Sequence, residues 1–129
     1  LIAYNEKYND YSFFRLDKIK NIKNSNLPIV EPNQKINDFV KSCVYMYGGE
    51  SEKVVLKCNI DILDHVLEMF GKDVEIEAID SMYFKVTLKV NVVGLRMWIM
   101  QYIECVDVLY PKHLKDDIRE MLKEALKRY

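Results

Sequence analysis

Apolar residues recur along this chain with two different periods, and the switches between them mark its elements. From 53 to 60 every second position is apolar: Val54, Leu56, Cys58 and Ile60 share one face, as in a half-buried strand. From 61 to 70 the spacing lengthens, and Ile62, Leu63, Val66, Leu67 and Phe70 fall on one side of a short helix that Gly71 ends. Alternation returns at 74–79 through Val74, Ile76 and Ala78. A tight turn at Asp80 and Ser81 leads to a longer strand at 83–92, with Phe84, Val86, Leu88 and Val90 on one face. Residues 93–103 are apolar at helical spacing, and 106–109 read as a short strand. Pro111 stands where the first residue of a helix takes proline. Leu114, Ile118, Met121, Leu122, Ala125 and Leu126 then form a helical stripe.

The order β-α-β-β-α-β plus a final helix is that of the ferredoxin-like split βαβ unit. The expected fold class is therefore α+β, with a four-stranded antiparallel sheet, residues 74–79 and 83–92 paired as a hairpin, and two helices on one face. The opposite face carries Val55, Lys57, Glu75, Glu77, Lys85, Thr87 and Lys89. It is mostly polar and makes a poor hydrophobic interface.

The first 23 residues read as a β-hairpin. Leu1, Ile2, Ala3 and Tyr4 are strand formers, 5–10 is polar and turn-rich, and 11–22 alternates through Phe14, Leu16, Lys18, Lys20 and Ile22. An isolated hairpin is marginal in water, so this segment reads as the end of a larger β-unit with further strands upstream of Leu1. Its edges are expected to pair with another copy or to be poorly ordered. Residues 24–34 contain Pro28 and Pro32 among Asn and Ser and read as a connector. Apolar residues at 36, 39, 40, 43 and 44 then mark an amphipathic helix, with Gly48 and Gly49 ending it or the turn after it.

Composition narrows the function classes. The 129 residues are 50% apolar and 30% charged, the balance of one globular domain rather than a disordered chain. The uncharged run at 97–103 falls far short of the ~18 residues of a membrane span. No signal-peptide pattern opens the chain. Three widely spaced cysteines (Cys43, Cys58, Cys105) match neither a disulfide framework nor a zinc site, which points to a reducing, cytoplasmic compartment. Net charge is −1, so no whole-chain basic footprint for nucleic acid exists. Residues 1–26 nonetheless hold five basic and three acidic side chains, either a solvated strand face or a small cationic surface.

Two stretches resemble a known family. Residues 1–4 followed by Phe14, Arg15, Leu16, Asp17, Lys18 and Ile19 are similar to the last two strands of the WYL domain, with Leu1 as the leucine of its Trp-Tyr-Leu triplet. Leu95, Trp98, Ile99, Met100, Tyr102, Val106, Val108, Leu109, Pro111 and Leu114 resemble, without a gap, a phrase of the WCX extension that follows WYL domains. The resemblance divides the chain into the C-terminal part of a WYL domain (1–26), a connector with a short helix (27–52) and a ferredoxin-like WCX extension (53–129). It implies the C-terminal region of a bacterial transcriptional regulator. In that family a winged helix-turn-helix binds DNA, an SH3/Sm-like WYL barrel senses a small-molecule or nucleic-acid effector, and the extension contributes to dimer assembly. The family phrase has arginine where Ser12 and Lys18 stand, and neither a hydroxyl nor an ammonium reproduces a bidentate guanidinium.

Candidate ligand-binding residues follow partly from this resemblance. Arg15, with Lys18, would face an anionic effector in the WYL groove; otherwise Arg15 is a surface arginine paired with an acid. Tyr4 and Tyr11 are either stacking surfaces or half-buried barrel residues. Trp98 reads as core, while Arg96 on the same helix is free to reach a cleft. His65 and His113 lie far apart, so neither a metal site nor a Cys-His pair is expected. No phosphate loop, nucleophile elbow or paired-acid pattern is present in the sequence. No cofactor and no enzyme activity are expected. Three roles stay open: a ligand-responsive regulatory region, a plain dimerisation module, and a small enzyme on the same fold. For a homodimer, the apolar stripes of the last helix and of residues 36–44 are the candidate contacts.

Overall fold

Two antiparallel sheets and four helices make up the α+β architecture. The computed structural model describes residues 1–28 and 35–129. The C-terminal half of the connector, with Pro32, lies outside the described residues.

The first sheet is the hairpin β1 (Ile2–Asn5) and β2 (Asp10–Phe13), in register from Ile2↔Phe13 to Asn5↔Asp10. The second strand is much shorter than the 11–22 alternation predicts. Its last rung joins the Phe14 N–H to the Leu1 carbonyl at 2.8 Å. Beyond it the described residues make no further rung. Residues 16–18 instead close into a 3₁₀ turn, and Asn21 takes a positive φ of 56° that ends any alternation. Leu16 and Ile22, expected on one strand face, are exposed.

After the connector, α1 (Lys35–Ser42) is followed by a tight turn bridged from Val44 to Tyr47. Then come β3 (Glu52–Asn59), α2 (Leu63–Phe70), β4 (Glu75–Ala78), β5 (Tyr83–Val90), α3 (Val92–Gln101), β6 (Val106–Tyr110) and α4 (Lys112–Leu126). The four strands lie in the order β4-β5-β3-β6, every pair antiparallel, and β4 pairs with β5 as expected. Pro111 caps α4 rather than occupying its first turn, because the extended path of β6 runs on through it (ψ 164°).

One face of this sheet holds the core. Val54, Leu56, Cys58, Phe84, Val86, Leu88, Val90, Val106 and Val108 pack against Ile62 and Val66, Leu95, Trp98 and Ile99 of α3, and Leu114 and Ile118 of α4. All three helices therefore lie on the same side. The other face is the polar one the alternation predicts. Lys57 holds its ammonium 4.1 Å from the Tyr83 ring centroid, and Lys85 pairs with Glu77 at 2.5 Å.

One residue fastens the segment before β3 to this unit. The Asn91 side chain accepts hydrogen bonds from the Val93 and Gly94 N–H groups, capping α3, and donates to the carbonyls of Gly48 and Glu50. Its backbone N–H reaches Ser42 O at 2.8 Å. Gly94 is the other half of the joint. A Cβ there would sit 2.3 Å from the Val44 carbonyl oxygen, so only glycine lets the fully buried Val44 and its turn lie against α3.

Candidate ligand-binding site

Tyr4 and Tyr11 face each other across the hairpin, in register and edge to face, with ring centroids 6.0 Å apart. The Tyr4 hydroxyl donates to Asn9 Oδ1, which closes the turn. On its other side Tyr11 meets Phe39 of α1 at 6.0 Å, and Phe13 stacks on the same ring at 5.4 Å and 28°. Gly48 allows this: a Cβ there would approach the Phe39 ring to 2.7 Å. The result is an aromatic joint between the hairpin and α1. A cleft of about 280 Å³ runs beside it, with Tyr8, Tyr11, Phe13, Phe39 and Met46 among its walls.

Arg15 lies outside this joint. Its guanidinium makes a fork onto its neighbour Asp17, Nε to Oδ1 at 3.0 Å and Nη2 to Oδ2 at 2.6 Å, fully in solvent reach. The guanidinium holds the Asp17 carboxyl below its ordinary value. Lys18 ends the same 3₁₀ turn, exposed. The chain thus brings Tyr4 to Tyr11, and Arg15 to Lys18. Arg96 belongs elsewhere: on α3 it faces Asp117 of α4 at 3.9 Å, with its Nε buried and without a hydrogen-bond partner.

Sequence reasoning passed over two further constellations. His65 stacks on Tyr102 at 5.1 Å, and Tyr102 meets Trp98 at 4.9 Å, beside a pocket of about 410 Å³ that Tyr45 and Glu68 also line. The Tyr45 hydroxyl spans 56 positions of sequence to reach Gln101 Oε1 at 2.9 Å. A second groove, about 470 Å³, opens between α1, the end of α2 and the β4–β5 pair. Neither has a local motif, since each is assembled from three or more elements. Among the described residues no group of three His, Cys, Asp or Glu side chains is placed to hold a metal ion, and no helix is long and apolar enough to cross a membrane.

With this geometry in view, the comparison with known families is decisive for one part of the chain. The family model of the WCX domain matches residues 50–126, from the start of the second sheet to the last residue of α4. The chain belongs to the WCX domain family. WCX is a C-terminal domain associated with WYL domains. No curated protein matches this chain. The WCX match takes in Arg96, Trp98 and the His65 pocket except for Tyr45, and it leaves Tyr4, Tyr11, Arg15 and Lys18 outside its bounds.

Proposed function

We propose that this chain is the ligand-sensing and oligomerisation region of a bacterial WYL-family DNA-binding transcriptional regulator, with no enzyme activity of its own. The observation that carries the reading is the WCX match over residues 50–126, because that domain keeps company with WYL domains. Two further features support it. A hairpin followed by the WYL-like residues 14–19 stands N-terminal to the WCX domain, with the connector and α1 between them. The order β4-β5-β3-β6, with helices after β3 and β5, supports reading this unit as ferredoxin-like. In this reading the hairpin belongs to an SH3/Sm-like WYL barrel, DNA is bound by a helix-turn-helix domain of the same cytoplasmic regulator, and Arg15, Lys18, Tyr4, Tyr11 and Arg96 are the residues offered to an effector.

The decisive experiment is native mass spectrometry of the intact regulator purified from its host. A dimer carrying a small molecule or an oligonucleotide, lost on Arg15→Ala, is the expected result. An unliganded monomer overturns the reading.

The second reading, a dimerisation module without a ligand, rests on α4. Its first half is buried through Leu114 and Ile118, while Leu122 is 40% and Leu126 74% exposed. Burying an aliphatic side chain is worth about 1.5–3 kcal/mol, and a two-fold contact lets one stripe cover itself. A dimer without ligand that dissociates on Leu122→Asp, with the circular dichroism unchanged, selects this reading.

A further inference from the structure

The groove of about 470 Å³ between α1, α2 and the β4–β5 pair combines three features that one ligand would satisfy. The first is an open stretch of sheet edge. β5 runs to Val90 and stays paired with β3 throughout, yet β4 accompanies it only from Ala78↔Phe84 to Glu75↔Thr87. Residues 88–90 therefore have no strand on the β4 side, and among the described residues no other backbone hydrogen bond reaches them. Backbone groups left in this way recruit another extended chain. The second feature is an apolar floor, the half-buried Phe70 and Val74 beside the buried Leu88 and Val90, where α2 ends at Gly71.

The third feature is charge. Lys41 and Lys89 line the groove, and so do Asp73 and Glu75. Both signs are present, yet among the described residues none of these four side chains takes part in an ion pair. Elsewhere the protein pairs such groups readily: Glu77, two residues from Glu75, holds Lys85 at 2.5 Å. A groove with unpaired charges of both signs, an apolar floor and a free backbone edge is complementary to a molecule with an ammonium at one end, a carboxylate at the other and an apolar side chain between them.

We propose that this groove binds a short zwitterionic peptide bearing an apolar side chain, its main chain lying along residues 88–90. At about 3.4 Å per residue, the two steps from residue 88 to residue 90 span about 7 Å, the length of a dipeptide main chain and more than that of one amino acid. The floor takes the side chain, and the lysines and acids take the two termini. Such a ligand would hold α1, which supplies Lys41, against the WCX sheet. The site is separate from the hairpin residues, and it stands whether or not the chain serves a DNA-binding regulator.

The test is a ¹⁵N NMR titration of the full chain with three probes: Leu-Leu, free L-leucine and N-acetyl-leucinamide, which keeps the side chain but has no charge. Leu-Leu is expected to shift the amides of residues 70–75 and 87–90 and to bind more tightly than either other probe. Lys89→Met and Asp73→Asn, both at exposed positions, should each weaken it about fivefold with the spectrum otherwise unchanged. Equal binding of the uncharged probe, or undiminished binding by both variants, removes the role of charge and overturns the proposal. Free leucine binding as tightly as Leu-Leu overturns the peptide in favour of a single amino acid. No shift in these amides at about 20 mM Leu-Leu overturns the site.

Discussion

Residues 11–22 and 83–90 both alternate, the first less cleanly because Lys18 and Lys20 share the face of Phe14 and Leu16, and one becomes a four-residue strand and the other an eight-residue strand. The difference lies in what surrounds them. β5 has a strand on each side and three helices over one face, so four of its side chains are buried. Among the described residues β2 has a strand on one side only, and the Phe39 ring of α1 packs against its Tyr11 and Phe13. Alternation states which face a strand would bury. Ladder partners decide how far the strand extends, because unpaired backbone groups gain nothing from staying extended. The two sheets should accordingly differ in stability, with the WCX unit as the cooperative core and the hairpin as a lightly held appendage.

Thiol labelling contrasts the core of the WCX sheet with its less buried surroundings. Burial pushes the Cys58 thiol up to about 12, leaving it roughly a thousandth of an ordinary cysteine's thiolate. Cys43, at the end of α1, is also raised by burial but is only half-buried. At pH 8 a disulfide reagent should modify the half-buried Cys43 and Cys105 first and reach Cys58 only when the sheet unfolds. Equal rates would deny the sheet its separate stability.

Truncation in the core comes next. Trp98, 1% exposed and in contact with the Phe70 and Tyr102 rings, should cost about 3–5 kcal/mol as Trp98→Ala in denaturant unfolding. Phe13→Ala in the hairpin should cost far less. Gly94→Ala drives a methyl into the Val44 carbonyl and should cost about 1–3 kcal/mol, with the 44–47 amides losing exchange protection before those of β3 and β5. Phe39→Ala removes the ring that joins hairpin to α1. It should free the amides of residues 2–13 in hydrogen exchange and leave the unfolding midpoint of the WCX unit nearly unchanged.

The smallest effect is expected at the Arg15–Asp17 pair. The depressed Asp17 carboxyl favours the folded state above its unfolded value, and this contribution fades as pH falls through the lower folded value. Both side chains are in solvent, so Arg15→Ala should leave thermal unfolding at neutral pH unchanged while NMR shows the Asp17 titration moving upward.

Much of the WCX unit was legible because its strands and helices carry their periods locally. Val54, Leu56 and Cys58, or Phe84, Val86 and Leu88, all turn out buried where alternation places them. The end of the hairpin strand was not legible, since nothing in the local alternation marks the 3₁₀ turn at 16–18 or the positive φ of Asn21. The candidate site was legible in part. Tyr4 and Tyr11 do meet, but the nearest partner of Arg15 is its own neighbour Asp17, and Arg96 turns to Asp117, 21 positions along the chain.

Side-chain periodicity by itself determined the element order, the core face of β3 and β5 and the polar character of the opposite face, because these depend on neighbours two to four residues apart; it failed at Ile60 and at Ile76 of β4, which are exposed. Only the tertiary structure decided where β2 stops, that Gly94 is the seat for Val44, that Asn91 ties the 48–50 backbone to α3, and that β4 leaves part of β5 open beside Lys41 and Lys89. Each of these depends on backbone groups far apart in sequence meeting or failing to meet, and a hydrogen bond or close contact of that kind leaves no period in the chain.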